Sequence, residues 1–292
     1  MNKHLFIAGM EKCGTTALAS WFVNQGLAEF LVPNIKEPYI YARTDFGSFP
    51  LGGNYKKDWL LDASVGYSRN PAAIARMPEH DCRVVLCFRN PWERTWSAYR
   101  MYKLDPKELI KNVIMGPKWK KCPFTETALM CYPAKSRPFI EKYCAAERTR
   151  LQEGDFLSRL YYERDFLHVR RTYPFFSILQ ASSFRLPLGN ILGKFAPRDV
   201  FVVSLSRLRD ATLRNRFVHD LLGMEGEYPE IPKKFVLEGR DIGEEKPDFT
   251  RPEFDGMRSA FRYDLQEFRS LIEREGIATD YLDFDALQRN IM

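Results

Sequence analysis

The chain has 292 residues, 45% of them apolar and 14% aromatic, enough for the core of one large α/β domain. Its formal charge of +6 suits an anionic ligand; it is not the dense basic block of a dedicated nucleic-acid binder, and no RNA-recognition or zinc-finger signature is present. There is no apolar run of about eighteen residues and no basic-then-apolar leader, so a cytoplasmic protein without a membrane span is expected.

The first predicted element is a strand over 3–9, built on Leu5-Phe6-Ile7-Ala8. Gly9-Met10-Glu11-Lys12-Cys13-Gly14-Thr15-Thr16 follows and runs into a helix predicted over 14–25. A strand, a glycine-bounded turn and a helix start aim backbone N–H groups and a helix N-terminus at an anion. The nucleotide triphosphatase pattern puts lysine just after the second glycine. Here Thr15 holds that place, and the lysine lies earlier in the loop, at Lys12.

Strands are predicted over 28–32, 58–63 and 83–89, with helices over 71–77 and 91–103. Strands separated by helices argue for a parallel sheet. Lys36-Glu37-Pro38-Tyr39-Ile40-Tyr41 precedes the strand Trp59-Leu60-Leu61-Asp62-Ala63-Ser64. The run Arg83–Phe88 leads into Arg89-Asn90-Pro91-Trp92-Glu93-Arg94-Thr95-Trp96-Ser97-Ala98-Tyr99. Pro91 suits a first helical turn, and Arg89 falls at the carboxyl end of a strand, where open α/β sheets bind ligands.

Residues 103–182 read as helical and rich in cations, including Arg148, Arg150, Arg159 and Arg164. These form either a solvated face or the lining of an acceptor site. Tyr161, Tyr162, Tyr173, Phe175 and Phe176 belong to the core or stack on a flat acceptor. Val200–Val203 fits a further strand, 226–250 a long loop, and 252–275 an amphipathic closing helix. The six cysteines (Cys13, Cys82, Cys87, Cys122, Cys131, Cys144) include no Cys-x-x-Cys pair and are expected to be mostly free. Cys13 is either a small loop filler or a thiol whose pKa Lys12 lowers.

The Gly9–Thr16 loop resembles the 5′-phosphosulfate loop of the sulfotransferases that use 3′-phosphoadenosine 5′-phosphosulfate (PAPS). Arg89–Tyr99 resembles that family's 3′-phosphate motif, Arg-x-Pro-x-x-Arg-x-x-Ser-x-Tyr, at every defining position. Lys36–Tyr41 is similar to the Lys-Glu-x-x-x-Phe segment of the carbohydrate sulfotransferases, the heparan sulfate branch in particular. That branch has Glu-Lys-Ser/Thr where this chain has Asp62-Ala63-Ser64; the missing lysine puts a heparan-like acceptor in doubt.

The resemblance implies a P-loop-like three-layer α/β fold in one domain of the bacterial, unanchored type. Residues 1–102 would form the PAPS-binding core and 103–182 a helical acceptor insert. Residues 183–292 would supply the remaining core strand, a lid loop and the closing helix. It implies transfer of a sulfuryl group from PAPS to an acceptor hydroxyl, on a carbohydrate or glycolipid, giving 3′,5′-ADP, with no metal. Lys12, Cys13, Gly14, Thr15 and Thr16 match the phosphosulfate loop, Arg89 and Ser97 the 3′-phosphate ligands, and Arg240 the late basic loop over the nucleotide. Glu37 is the first choice of general base, Asp62 the second, and His168 the histidine alternative. Sulfation of a small metabolite, a P-loop small-molecule kinase and a non-catalytic nucleotide-binding protein remain the other readings.

Overall fold

The computed structural model describes residues 2–44, 46, 54–104, 133–170, 177–232 and 241–292. Arg240, Cys122, Cys131, Tyr173, Phe175 and Phe176 lie outside the described residues.

Five strands form one sheet in the order β2-β3-β1-β4-β5, and every pairing is parallel. They are β1 (Lys3–Gly9), β2 (Glu29–Phe30), β3 (Trp59–Asp62), β4 (Cys82–Cys87) and β5 (Val200–Val203). Leu5, Phe6, Ile7, Val84, Val85 and Leu86 have no exposed surface. Near-continuous apolar strands of this kind are what a sheet covered on both faces requires. β2 is shorter than its apolar run suggested. β4 ends at Cys87, which leaves Arg89 in the link to the next helix.

The described helices are α1 (Thr15–Asn24), α2 (Pro71–Arg76), α3 (Pro91–Lys103), α4 (Arg137–Glu153) and α5 (Phe156–Arg170). They continue as α6 (Arg185–Leu192), α7 (Ala211–Leu222), α8 (Asp255–Glu275) and α9 (Phe284–Gln288). α3 starts where Pro91 allows, and the Asn90 side chain caps it by accepting from the N–H groups of Trp92 and Glu93. α8 buries Phe261, Leu265, Phe268, Leu271 and Ile272, a stripe of helical period that lies against α6.

After β1 the chain builds the β2-β3 side of the sheet, and then crosses to β4 and β5 on the other side. The reversal falls between β1 and β4. Open α/β sheets bind ligands in the crevice at the carboxyl ends of such strands. Lys12 follows β1 and Arg89 follows β4, so the two motifs meet at that crevice.

Residue Arg159 departs from both sequence readings. It is neither a solvated cation nor a lining one, but is buried between α4 and α5. It pairs with Glu147 at 2.9 Å and with Glu163 at 2.9 Å, and both carboxylates are fully buried. Glu163 also receives the N–H groups of Ile178 (2.8 Å) and Leu179 (2.9 Å). The helical pair is thereby tied to the segment that contacts α3.

Candidate active site

The turn after β1 is anchored by the Met10 N–H donating to Cys87 O at 2.9 Å. Lys12 (φ 65°) and Gly14 (φ 89°) take left-handed backbone conformations. Only glycine fits at position 14, because a Cβ there would lie 2.5 Å from Leu205 Cδ2. α1 then begins with no side-chain cap and no acidic residue in its first turn. Its first N–H groups and the positive end of its dipole therefore remain available to an anion.

Lys12 Nζ contacts only a weak acceptor, Met101 Sδ at 3.5 Å, and forms no ion pair with any described residue. Burial pulls its pKa down, against the partly restoring charge of Glu11. The Glu11 carboxylate is held elsewhere, by Arg94 (3.3 Å) and the Tyr102 hydroxyl (2.7 Å). Cys13 is buried, and burial pushes its thiol up to about 11. It stays protonated near neutrality, which favours the small-filler reading over the reactive thiol.

After β4, Arg89 is exposed and pairs with Glu93 at 3.2 Å; Glu93 also pairs with Lys246. The Asn90 amide donates to the carbonyls of Ala286 (3.2 Å), Leu287 (3.1 Å) and Arg289 (2.7 Å). One capping residue thus holds the C-terminal turn beside the start of α3. Between these parts lies a cavity of about 510 Å³. Its walls bring together Lys12, Cys13, Gly14 and Arg89, and add Arg209 and Arg289. Among the described lining residues four are cationic and one, Glu93, is acidic.

Arg209 and Arg289 form no ion pair with any described residue. Sequence reasoning missed them. They stand far apart in the chain, each in an unremarkable setting, and only the fold brings them to one cavity. Thr15, Thr16 and Ser97 do not line this cavity. Thr15 is buried at the head of α1, and Ser97 sits one turn beyond Glu93 on α3. His168 is exposed in the last turn of α5.

The two candidate carboxylates differ sharply. Glu37 keeps 14% of its side chain exposed; it pairs with the buried Lys36 and receives the Tyr39 hydroxyl at 3.1 Å. Asp62 is fully buried. It accepts from Ser64 N (3.0 Å), Ser64 Oγ (2.6 Å) and the Tyr67 hydroxyl (2.8 Å). Burial raises its pKa to about 6, although these donors favour the anion. Asp62 therefore has no open surface and both oxygens hydrogen-bonded, whereas Glu37 retains some exposed surface. The partners of Asp62 also hold the segment that carries Glu37. Ser64 Oγ accepts from Tyr39 N (2.9 Å), and the Tyr67 hydroxyl accepts from Tyr41 N (3.3 Å).

No family model and no curated protein matches the chain. Among solved structures it superposes on a sulfotransferase from Alicyclobacillus acidocaldarius with a TM-score of 0.54, covering 94% of this chain and 96% of that one. The chain has the sulfotransferase fold. Sequence identity to that sulfotransferase is 17%, so the likeness is one of fold. Within the sulfotransferase fold of this chain, the glycine-bounded turn and the Arg89 link both line one cationic cavity. Among the described residues, no group of three or more His, Cys, Asp or Glu is arranged to hold a metal ion, and no helix is long and apolar enough to cross a membrane.

The two unpaired arginines give a direct prediction. Arg209→Ala and Arg289→Ala are each expected to weaken binding of 3′,5′-ADP by about tenfold, the loss of one charge-assisted hydrogen bond of about 1.5 kcal/mol. Their melting temperatures should stay at the parent value, because neither guanidinium forms an ion pair with any described residue. Calorimetric titration of each variant checks this; unchanged affinity in both would remove them from the site.

Proposed function

We propose that this chain is a PAPS-dependent sulfotransferase acting on an acceptor hydroxyl, on a carbohydrate or glycolipid. The observation that carries the reading is one cavity lined by Lys12, Arg89, Arg209 and Arg289 beside the uncapped start of α1. Four cations around one cavity suit a nucleotide with anionic groups at both its 5′ and 3′ positions. Bound PAPS would supply the sulfuryl group, and 3′,5′-ADP would leave.

Each residue then has a stated task. Lys12 and the N–H groups at the head of α1 stabilise charge that develops on the leaving phosphate oxygen. Because they are already in place and partly shielded from water, each such donor is worth about 3–4 kcal/mol. Arg89 grips the 3′-phosphate, with Ser97 the motif's second ligand and Arg209 and Arg289 added by the fold; Arg240 is kept as a covering cation. To engage phosphate, Arg89 exchanges its exposed contact with Glu93, which keeps Lys246 as partner. Glu37 takes the proton of the attacking hydroxyl, while Lys36 and Tyr39 hold its carboxylate and Asp62 holds the segment that carries it.

Glu37→Gln is expected to lower kcat by about 10²–10⁴-fold, the usual contribution of a general base, with 3′,5′-ADP affinity unchanged. A variant with full activity would move the base elsewhere. The function itself is tested by thermal shift with 3′,5′-ADP beside ATP plus Mg²⁺. Stabilisation by 3′,5′-ADP supports the proposal. Stabilisation by ATP and Mg²⁺ alone would favour a P-loop kinase, although Thr15 stands where such a kinase carries its lysine.

A further inference from the structure

The turn that follows β3 ends in Arg69, at the same carboxyl edge of the sheet as Lys12 and Arg89. The turn packs closely on the base segment: a Cβ on Gly66 would lie 3.1 Å from Tyr39 Cε1, and Arg69 N donates to Gly66 O at 3.2 Å. The Arg69 side chain is partly buried, yet its guanidinium makes one hydrogen bond, from Nη1 to Gln180 Oε1 at 3.3 Å. Its Nε is buried without a partner, and it forms no ion pair with any described residue.

The neighbouring carboxylates are already committed. Glu37 is held by Lys36 and Tyr39, and Glu11 by Arg94 and Tyr102. The charge of Arg69 reaches both phenols, partly opposing the burial that pushes Tyr39 and Tyr102 up. Arg69 closes the one-turn helix whose Gly66 packs against Tyr39, the residue whose hydroxyl holds Glu37. A half-desolvated guanidinium with no counter-ion is unfavourable unless an anion completes it. Its planar fork matches a carboxylate with two parallel bonds. The mechanism above gives this cation no task.

We infer that Arg69 is a specificity residue that binds a carboxylate carried by the acceptor, so that the acceptor is an acidic sugar and not a neutral one. This rests on the sulfotransferase reading and narrows it. The anion is expected close to the hydroxyl that Glu37 deprotonates, because the turn that carries Arg69 packs through Gly66 on the Tyr39 ring that holds Glu37.

The test uses the full chain saturated with 3′,5′-ADP, titrated calorimetrically with methyl β-D-glucuronide and, separately, with methyl β-D-glucoside. The glucuronide is expected to bind about tenfold or more tightly than the glucoside, the effect of one charge-assisted bond. Arg69→Gln should abolish that preference, and Arg69→Lys should restore part of it, with 3′,5′-ADP affinity unchanged in both. Equal or absent binding of the two sugars by a parent protein that binds 3′,5′-ADP would overturn the inference and leave the sulfotransferase reading intact. A parent that fails to bind 3′,5′-ADP would sink both. Equal losses for both sugars in Arg69→Gln, in binding or in turnover with PAPS, would point to a structural or donor-side role and also overturn it.

Discussion

Lys12→Ala is expected to lower kcat by about 10²–10³-fold while the melting temperature holds or rises slightly. The first part follows from preorganised electrostatics: one donor aimed at developing charge in a shielded site is worth about that factor. The second follows from the folded protein. Lys12 makes no ion pair with any described residue, its ammonium meets only Met101 Sδ, and burial disfavours its charge. Removing it therefore gives up little and relieves desolvation. Alanine carries the same Cβ, so the left-handed backbone at this position gains no new strain. Steady-state kinetics beside a thermal melt would separate the two effects. A stability loss that accompanied the rate loss would make Lys12 part of the scaffold.

Arg94→Met is expected to destabilise the protein by about 3–5 kcal/mol, the usual loss when one partner of a buried, hydrogen-bonded ion pair is removed. Arg94 is 1% exposed. Its Nε donates to Glu11 O at 3.0 Å and its Nη1 to Ile178 O at 2.6 Å, while Nη2 reaches the Glu11 carboxylate at 3.3 Å. One guanidinium thus joins α3, the turn after β1 and the segment that Glu163 fastens to α5. Methionine fills the volume but removes the N–H donors that Glu11 O and Ile178 O receive from the guanidinium. Lysine, a point charge, cannot span the same acceptors. The denaturation midpoint in urea measures the loss. A change under about 1 kcal/mol would mean that the turn is held by its backbone alone. The second arginine of the Arg-x-Pro-x-x-Arg motif therefore secures the turn and does not line the cavity, a division of labour between Arg89 and Arg94 that the motif itself does not reveal.

The most legible parts of the sequence are those in which local signals agree. β1 and the turn to α1 follow from an apolar run closed by Gly9 and Gly14. α3 follows from Asn90 and Pro91, and its limits match the predicted ones. Asp62 is less legible, because a polar residue at a strand end looks the same whether it faces solvent or is enclosed by Ser64 and Tyr67. Arg159 is misleading for a similar reason: a cation among helical cations and acids does not announce a buried network with Glu147 and Glu163. Arg209 and Arg289 reach the cavity through the sheet order and the Asn90 contacts, both of which are long-range. Arg69 stands out only once its missing partner is visible.

The most direct test of the central claim is calorimetric titration of the purified chain with 3′,5′-ADP and, separately, with 5′-AMP. The account predicts tight binding of 3′,5′-ADP that depends on the 3′-phosphate and weakens strongly in Arg89→Ala. No binding, or equal binding of 5′-AMP, would contradict it.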